Sequence, residues 1–264
     1  MKRILIPLWA YRYFILSSIR TEFRSKFARS KLGGLWMVLN PLAMVLVYAL
    51  ILSQIMTAKL PEVSTLYAYP VYILSGVIGW NLFSEILSRC LNIFIDNGNL
   101  LKKMAFPKLV LPLIVVGSSL VNFFILFFMM FIVFGFLGHI PYHELHWLFL
   151  VVLLTVCLAA GLGVFLGVLN VFVRDIGQVV NVLLQFWFWL TPIVYMLEIV
   201  PPNYHWFILL NPLTGLILGY QNILLYDRVP NFELLIYPVS FTIISLFLAI
   251  LIFNKASEEM ADVL

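Results

Sequence analysis

Charge is what this sequence has least of. Only 11% of its 264 residues are Asp, Glu, Lys or Arg, 63% are apolar, and the mean hydropathy is +1.05. Soluble domains carry about 25% charged residues, so a water-soluble globular fold is excluded and a polytopic membrane protein remains. Cysteine is scarce too. Cys90 and Cys157 stand alone in apolar surroundings, with no CxxC and no metal-ligand spacing, so they carry no redox or metal reading. No GxxxxGK[ST] occurs, which excludes ATP binding through a P-loop. No Ser-His-Asp or Cys-His arrangement is legible, and the twelve acids are scattered rather than clustered. A relay of acids inside the apolar segments, which a proton-driven carrier needs, is missing. The apolar run 4–10 is short, Arg12 closes it, and no small-residue cleavage pattern follows, so no removable signal peptide is expected.

What is present is a series of long apolar runs. About 20 apolar residues cross a bilayer core, and runs of that size fall at 35–57, 66–88, 109–137, 147–173, 176–197 and 234–254. The expected fold is therefore an all-α, six-span membrane protein. Ahead of the first span, Leu16, Ile19, Phe23 and Phe27 recur at helical spacing while Arg20, Arg24 and Lys31 fall elsewhere, as in an amphipathic helix lying in the interface. The turn Arg174-Asp175 makes spans four and five a helical hairpin. A further stretch, 206–226, is interrupted by Pro212 and Gly215 and set off by Pro201-Pro202. Its halves are too short to cross, so short re-entrant external helices are expected within 199–228. The chain thus divides into an N-terminal segment (1–34), a transmembrane domain (35–254) and a tail (255–264).

Basic residues sort by side. Lys2, Arg3, Arg12, Arg20, Arg24, Lys26, Arg29 and Lys31 precede the first span, and Arg89, Lys102, Lys103, Lys108, Arg174 and Lys255 follow the even-numbered spans and the last one. Only Lys59 and Arg228 fall on the other side. The positive-inside rule then puts both termini in the cytoplasm. It also accounts for the net charge of +4 without nucleic acid as a partner.

Between spans two and three, 97–106 is short, basic and helix-like, with Asn97-Gly98 and Pro107 as punctuation. It is either a plain cytoplasmic connector, its lysines serving only topology, or a handle for another protein. Glu85 and Arg89 lie one helical turn apart and read as a structural ion pair. His139, His143 and His146 have spacings that suit a metal, but Pro141 interrupts them and an interfacial loop is the plainer reading. Two GxxxG runs, Gly163–Gly167 and Gly215–Gly219, read as helix packing within one subunit. In span five, Gln178, Asn181 and Gln185 stack on one side of the helix, continuing to Phe188 and Trp189. Amides in lipid are expensive, so this stripe faces either another helix or a water-filled conduit.

Four stretches together resemble a known family: RTEFRSKFARSKLGGLWMVLNPL (20–42), LLKKMAFPKLVLPL (100–113), VRDIGQVVNVLLQFWFWLTPIVY (173–195) and NPLTGLILGYQNILL (211–225). In that order and spacing they look like the membrane permease subunit of bacterial ABC exporters of O-antigen, capsule and teichoic-acid polysaccharides. The resemblance implies a homodimer in the inner membrane bound to two copies of a separate ATPase, which holds ATP and Mg. It implies a lipid-linked polysaccharide as substrate, no cofactor in this chain and no enzymatic activity of its own. It makes 97–106 the coupling helix, with Leu100, Leu101, Lys102, Lys103, Met104 and Phe106 expected against the ATPase. Arg24, Lys26, Arg29 and Lys31 are expected either to hold anionic head groups or to guide the substrate's diphosphate. Two other readings stay open: a lipid or drug exporter of the same architecture, and a membrane enzyme acting on lipid-linked sugars.

Overall fold

Where the apolar runs are longest, the chain is helical. A computed structural model describes residues 10–28, 39, 43, 68–103, 107–136, 138, 139, 141–257 and 259–263. Its helices are α1 (Arg12–Ala28), α2 (Ala68–Asp96), α3 (Gly98–Lys103), α4 (Val110–Phe136), α5 (Leu148–Phe172) and α6 (Asp175–Leu190). They continue as α7 (His205–Leu209), α8 (Pro212–Leu224), α9 (Phe232–Ala256) and α10 (Met260–Val263). Single turns of 3-10 helix occur at Leu145–Trp147, Leu197–Ile199 and Pro202–Tyr204, and no strand occurs among the described residues. Among the described residues four helices, α2, α4, α5 and α9, are long and apolar enough to cross a membrane, with a fifth span if the bent pair α7 and α8 is counted as one. The expected first span, 35–57, lies outside the described residues.

The expected fifth span is shorter than its apolar run. Its helix has 16 residues and ends at Leu190, about 24 Å at 1.5 Å per residue, against a hydrocarbon core of about 30 Å. Thr191 is the cause. It precedes Pro192, which disfavours the helical region for the residue before it, and it is extended (φ −100°, ψ 136°). The turn that follows is held by side chains from two helices. Tyr69 and Tyr72 of α2 donate to the carbonyls of Val194 (2.8 Å) and Tyr195 (3.1 Å), and Gln221 of α8 donates to that of Pro192 (3.0 Å).

Helix α2 is the centre of the molecule. It packs against α4, α5, α6 and α8, and α9 packs on the far side of α5. Glycine permits the closest of these contacts. A Cβ on Gly163 would stand 2.6 Å from Cys90 Cβ, and one on Gly167 would meet the Cys90 carbonyl. The first GxxxG therefore joins α5 to α2 within one chain. In the second, Gly215 faces the Leu234 carbonyl at the start of α9 and Gly219 faces Val151 of α5. Gly215 thus does not interrupt the helix as expected. The interruption is at Pro212, where α7 and α8 meet at a 102° bend, and Asn211 caps α8 by accepting from Leu213 N–H at 3.0 Å.

The α5–α6 hairpin has its own fastener. Asn170, buried at the end of α5, donates to the Leu91 carbonyl (3.1 Å) and the Asn92 amide oxygen (3.3 Å) of α2, and accepts from Gly177 N–H of α6 (2.9 Å). One amide ties three helices beside the Arg174-Asp175 turn. Nothing in the sequence singles it out except its polarity at the end of an apolar helix.

Candidate functional site

The short helix α3 follows α2 after a single non-helical residue. Asn97 continues the turn on both sides: its side chain donates to the Ile93 carbonyl (2.9 Å), and its own carbonyl accepts from Leu100 and Leu101 N–H (3.0 Å each). Asn99 and Lys102 lie three residues apart and are exposed, as is Asp96 at the end of α2, so they mark the side that a partner would meet. Leu100 is half-buried. Leu101, expected on a partner surface, is instead 7% exposed and belongs to a cluster with Phe94, Leu111, Phe253 and Met260. Its side chain supports the helix from within the chain. The helix includes Lys103, while Met104 and Phe106 lie outside the described residues.

The α6 stripe is exposed along its length. Gly177, Val180 and Leu184 are the residues α6 buries against its neighbours, and Gln178, Asn181 and Gln185 are exposed on another side together with Trp189, which is 64% exposed. The amides run through a broader apolar surface of Val179, Val182, Leu183 and Phe186, all exposed as well. The four consecutive aromatics divide as a helix must divide them. Trp187 turns inward, its indole N–H donating to the Asn211 side chain (2.8 Å) and its ring lying 5.3 Å from that of Phe83. Phe188 is half-buried with its ring 5.5 Å from Trp80, so it is tied to α2 rather than standing free with Trp189.

Of the four basic residues expected to meet head groups or diphosphate, Arg24 is exposed on α1. Lys26 lies in the last turn of α1, and Arg29 and Lys31 fall outside the described residues. The expected amphipathic stripe of α1 is split: Leu16 is 62% exposed, while Ile19 and Phe23 are half-buried. A Cβ on Gly117 of α4 would collide with the Ile19 side chain, so α1 lies directly on α4.

A polar cluster fixes that contact. Arg89 of α2 donates to Glu22 of α1 (2.8 Å), to Ser118 of α4 (2.8 Å) and to Glu85 one turn back (3.3 Å), and Glu85 also accepts from Asn122 of α4 (2.7 Å). Glu85 and Arg89 are thus a structural pair. Glu22, 67 residues away in sequence, is the partner that helical spacing does not reveal.

On the opposite end of the long helices, the three histidines go separate ways. His139 bonds the Leu224 carbonyl (2.9 Å) and His143 pairs with Asp227 (2.8 Å). Among the described residues no three His, Cys, Asp or Glu side chains gather to hold a metal. Asp227 has a positive φ of 49°. Partial burial alone would raise its pKa. Hydrogen bonds from the His143 side chain and from the backbone of Glu144 and His143, with the imidazole's charge, outweigh this and hold it below the usual carboxylate range.

The pattern of ABC-2 type transporters matches residues 13–225. The chain is 30% identical over 264 residues to the O-antigen export system permease protein RfbA of Myxococcus xanthus, covering 99% of both. It is 27% identical to a protein of the same name from Klebsiella pneumoniae, covering 92% of each. It is 24% identical to the polysialic acid transport protein KpsM of Escherichia coli, covering 90% of this chain and 92% of that one.

Proposed function

The chain belongs to the ABC-2 type transporter family, and on that footing we propose that it is the membrane permease subunit of an ATP-driven exporter. It moves a lipid-linked polysaccharide from the cytoplasm across the inner membrane. The observation that carries this reading is the match to an O-antigen export permease along 99% of both chains. ATP and Mg belong to a separate ATPase subunit, and this chain contributes binding, passage and coupling rather than a catalytic group.

In this reading six helices cross the membrane, the segment 35–57 being the first and α6 with its extended continuation the fifth. The bent pair α7–α8 is re-entrant on the outer side. Both termini are cytoplasmic, and α1 lies in the interface with Arg24, Lys26, Arg29 and Lys31 toward head groups or the substrate's diphosphate. Two copies associate and hold two ATPase subunits through 97–106. The exposed α6 surface supports the pairing, since Gln178, Asn181 and Gln185 would be costly against lipid. Between two copies they would face water and trade hydrogen bonds with sugar hydroxyls, and Trp189 would offer an aromatic face on which a sugar ring packs.

Removing the gene tests the substrate class. Cells lacking the chain should lose the polymer from their surface and accumulate it lipid-linked inside. Undiminished surface polymer in such cells would overturn the proposal.

A further inference from the structure

The coupling helix cannot hold itself up. Helix α3 has six residues, well below the length at which a helix persists in water without packing. What it packs on is informative. The C-terminal helix α10 lies against α3 and against α5. Met260, its first residue, is completely buried, in one apolar cluster with Leu101 of α3, Phe94 of α2, Leu111 of α4 and Phe253 of α9. A second tie sits beside it. Lys108, at the other end of the loop that carries α3, donates its ammonium to the Ser257 carbonyl, just past the end of α9. The tail therefore grips the α2–α4 connection at two points, one apolar and one polar.

These contacts have a mechanical consequence. A push on the exposed side of α3 moves the helices of the bundle only if α3 resists rocking about its two joints. Leu101 on Met260 removes one rocking freedom, and Lys108 on Ser257 fixes the return end of the loop against α9. Methionine suits the position, because its flexible thioether fills an irregular gap among four helices. Glu259 and Val263 of the tail stay exposed.

We propose that the C-terminal tail is a positioning element for energy coupling: Met260 and Lys108 brace α3 so that movement of the ATPase reaches α2, α4 and α9 together. This rests on the reading of 97–106 as the coupling helix. Neither residue touches substrate or nucleotide.

The test uses the full complex of this chain with its ATPase, carrying a photoreactive benzophenone side chain at position 102. In the wild-type background, illumination should cross-link position 102 to the ATPase. No cross-link there would remove the coupling-helix reading and the bracing role with it. With the cross-link in place, Met260→Asp puts a charge into the apolar cluster. It should lower export at least tenfold and alter the cross-linking yield, while the ATPase's hydrolysis in the absence of polymer continues. Met260→Leu, which keeps an apolar side chain of similar volume, should restore both. Should Met260→Asp fail to insert, Lys108→Gln and Met260→Ala replace it, each expected to lower export several-fold with the unfolding temperature of the bundle little changed. Normal export and normal cross-linking in variants that insert would overturn the bracing role and leave the coupling-helix reading intact.

Discussion

Arg89 serves four acceptors from three helices, Glu22, Glu85, Ser118 and, at 3.4 Å, Ser119, and its position explains why a cation is tolerated so far along a central apolar helix. Its side chain is 27% exposed and Glu22 25% exposed, so solvent screens the pair and its net worth is about 1 kcal/mol rather than the larger figure of a dry pair. Removing Arg89 costs more than the pair is worth. Arg89→Leu takes the guanidinium away from both Glu22 and Glu85, and we expect a loss of about 1–3 kcal/mol, read as a lower unfolding temperature in detergent. Replacing Glu22 and Glu85 by Gln in the same chain should recover part of it, because the stranded charges are then gone. An Arg89→Leu protein as stable as wild type would mean that this cluster does not hold α1 to α4. This cluster also marks a limit of sequence reading. Spacing joins Glu85 to Arg89, but Glu22 and Ser118 enter only through the fold. Helix α2 continues to Asp96, eight residues past the expected end at 88, and there Arg89 meets Glu22 while Asn92 accepts from Asn170 of α5.

At the scale of elements, apolar length was a good guide for three helices, even though α4 holds Pro112 in its first turn and α9 holds Pro238. Helices α4, α5 and α9 begin and end within two residues of the runs that announced them. Helix α6 departs because Thr191-Pro192 stops it inside its apolar run, and Gly215 reads as a break although it is a contact. A residue that helps a helix turn and one that lets another backbone approach are both glycine in the sequence. The surface of α6 yields the prediction that belongs here. Gln178→Leu, Asn181→Leu and Gln185→Leu combined should lower export at least tenfold while the chain still inserts and still binds the ATPase. The physical reason is that Leu removes the three amides from the stripe without adding bulk at a buried position. Export undiminished in the triple variant would make the stripe a packing surface and move the conduit elsewhere.

For the whole molecule, sidedness is the property on which the rest depends. The proposed topology has α3 and the tail in the cytoplasm and the 138–147 loop and the 191–204 stretch outside. Single cysteines replacing Glu144 and Asn203 should therefore react with an impermeant thiol reagent added to intact cells, and those replacing Lys103 and Glu258 should not. Labelling at Glu258 from outside would make the bent pair α7–α8 a full span. The central claim goes further than topology: this chain, driven by a separate ATPase, carries a lipid-linked polysaccharide across a bilayer. The most direct measurement reconstitutes the chain with its ATPase in liposomes that hold the lipid-linked polymer on the ATPase side. The account predicts that ATP makes the polymer accessible to a glycosidase on the opposite side, and that omitting either subunit abolishes this. Hydrolysis of ATP with the polymer left where it started would contradict it.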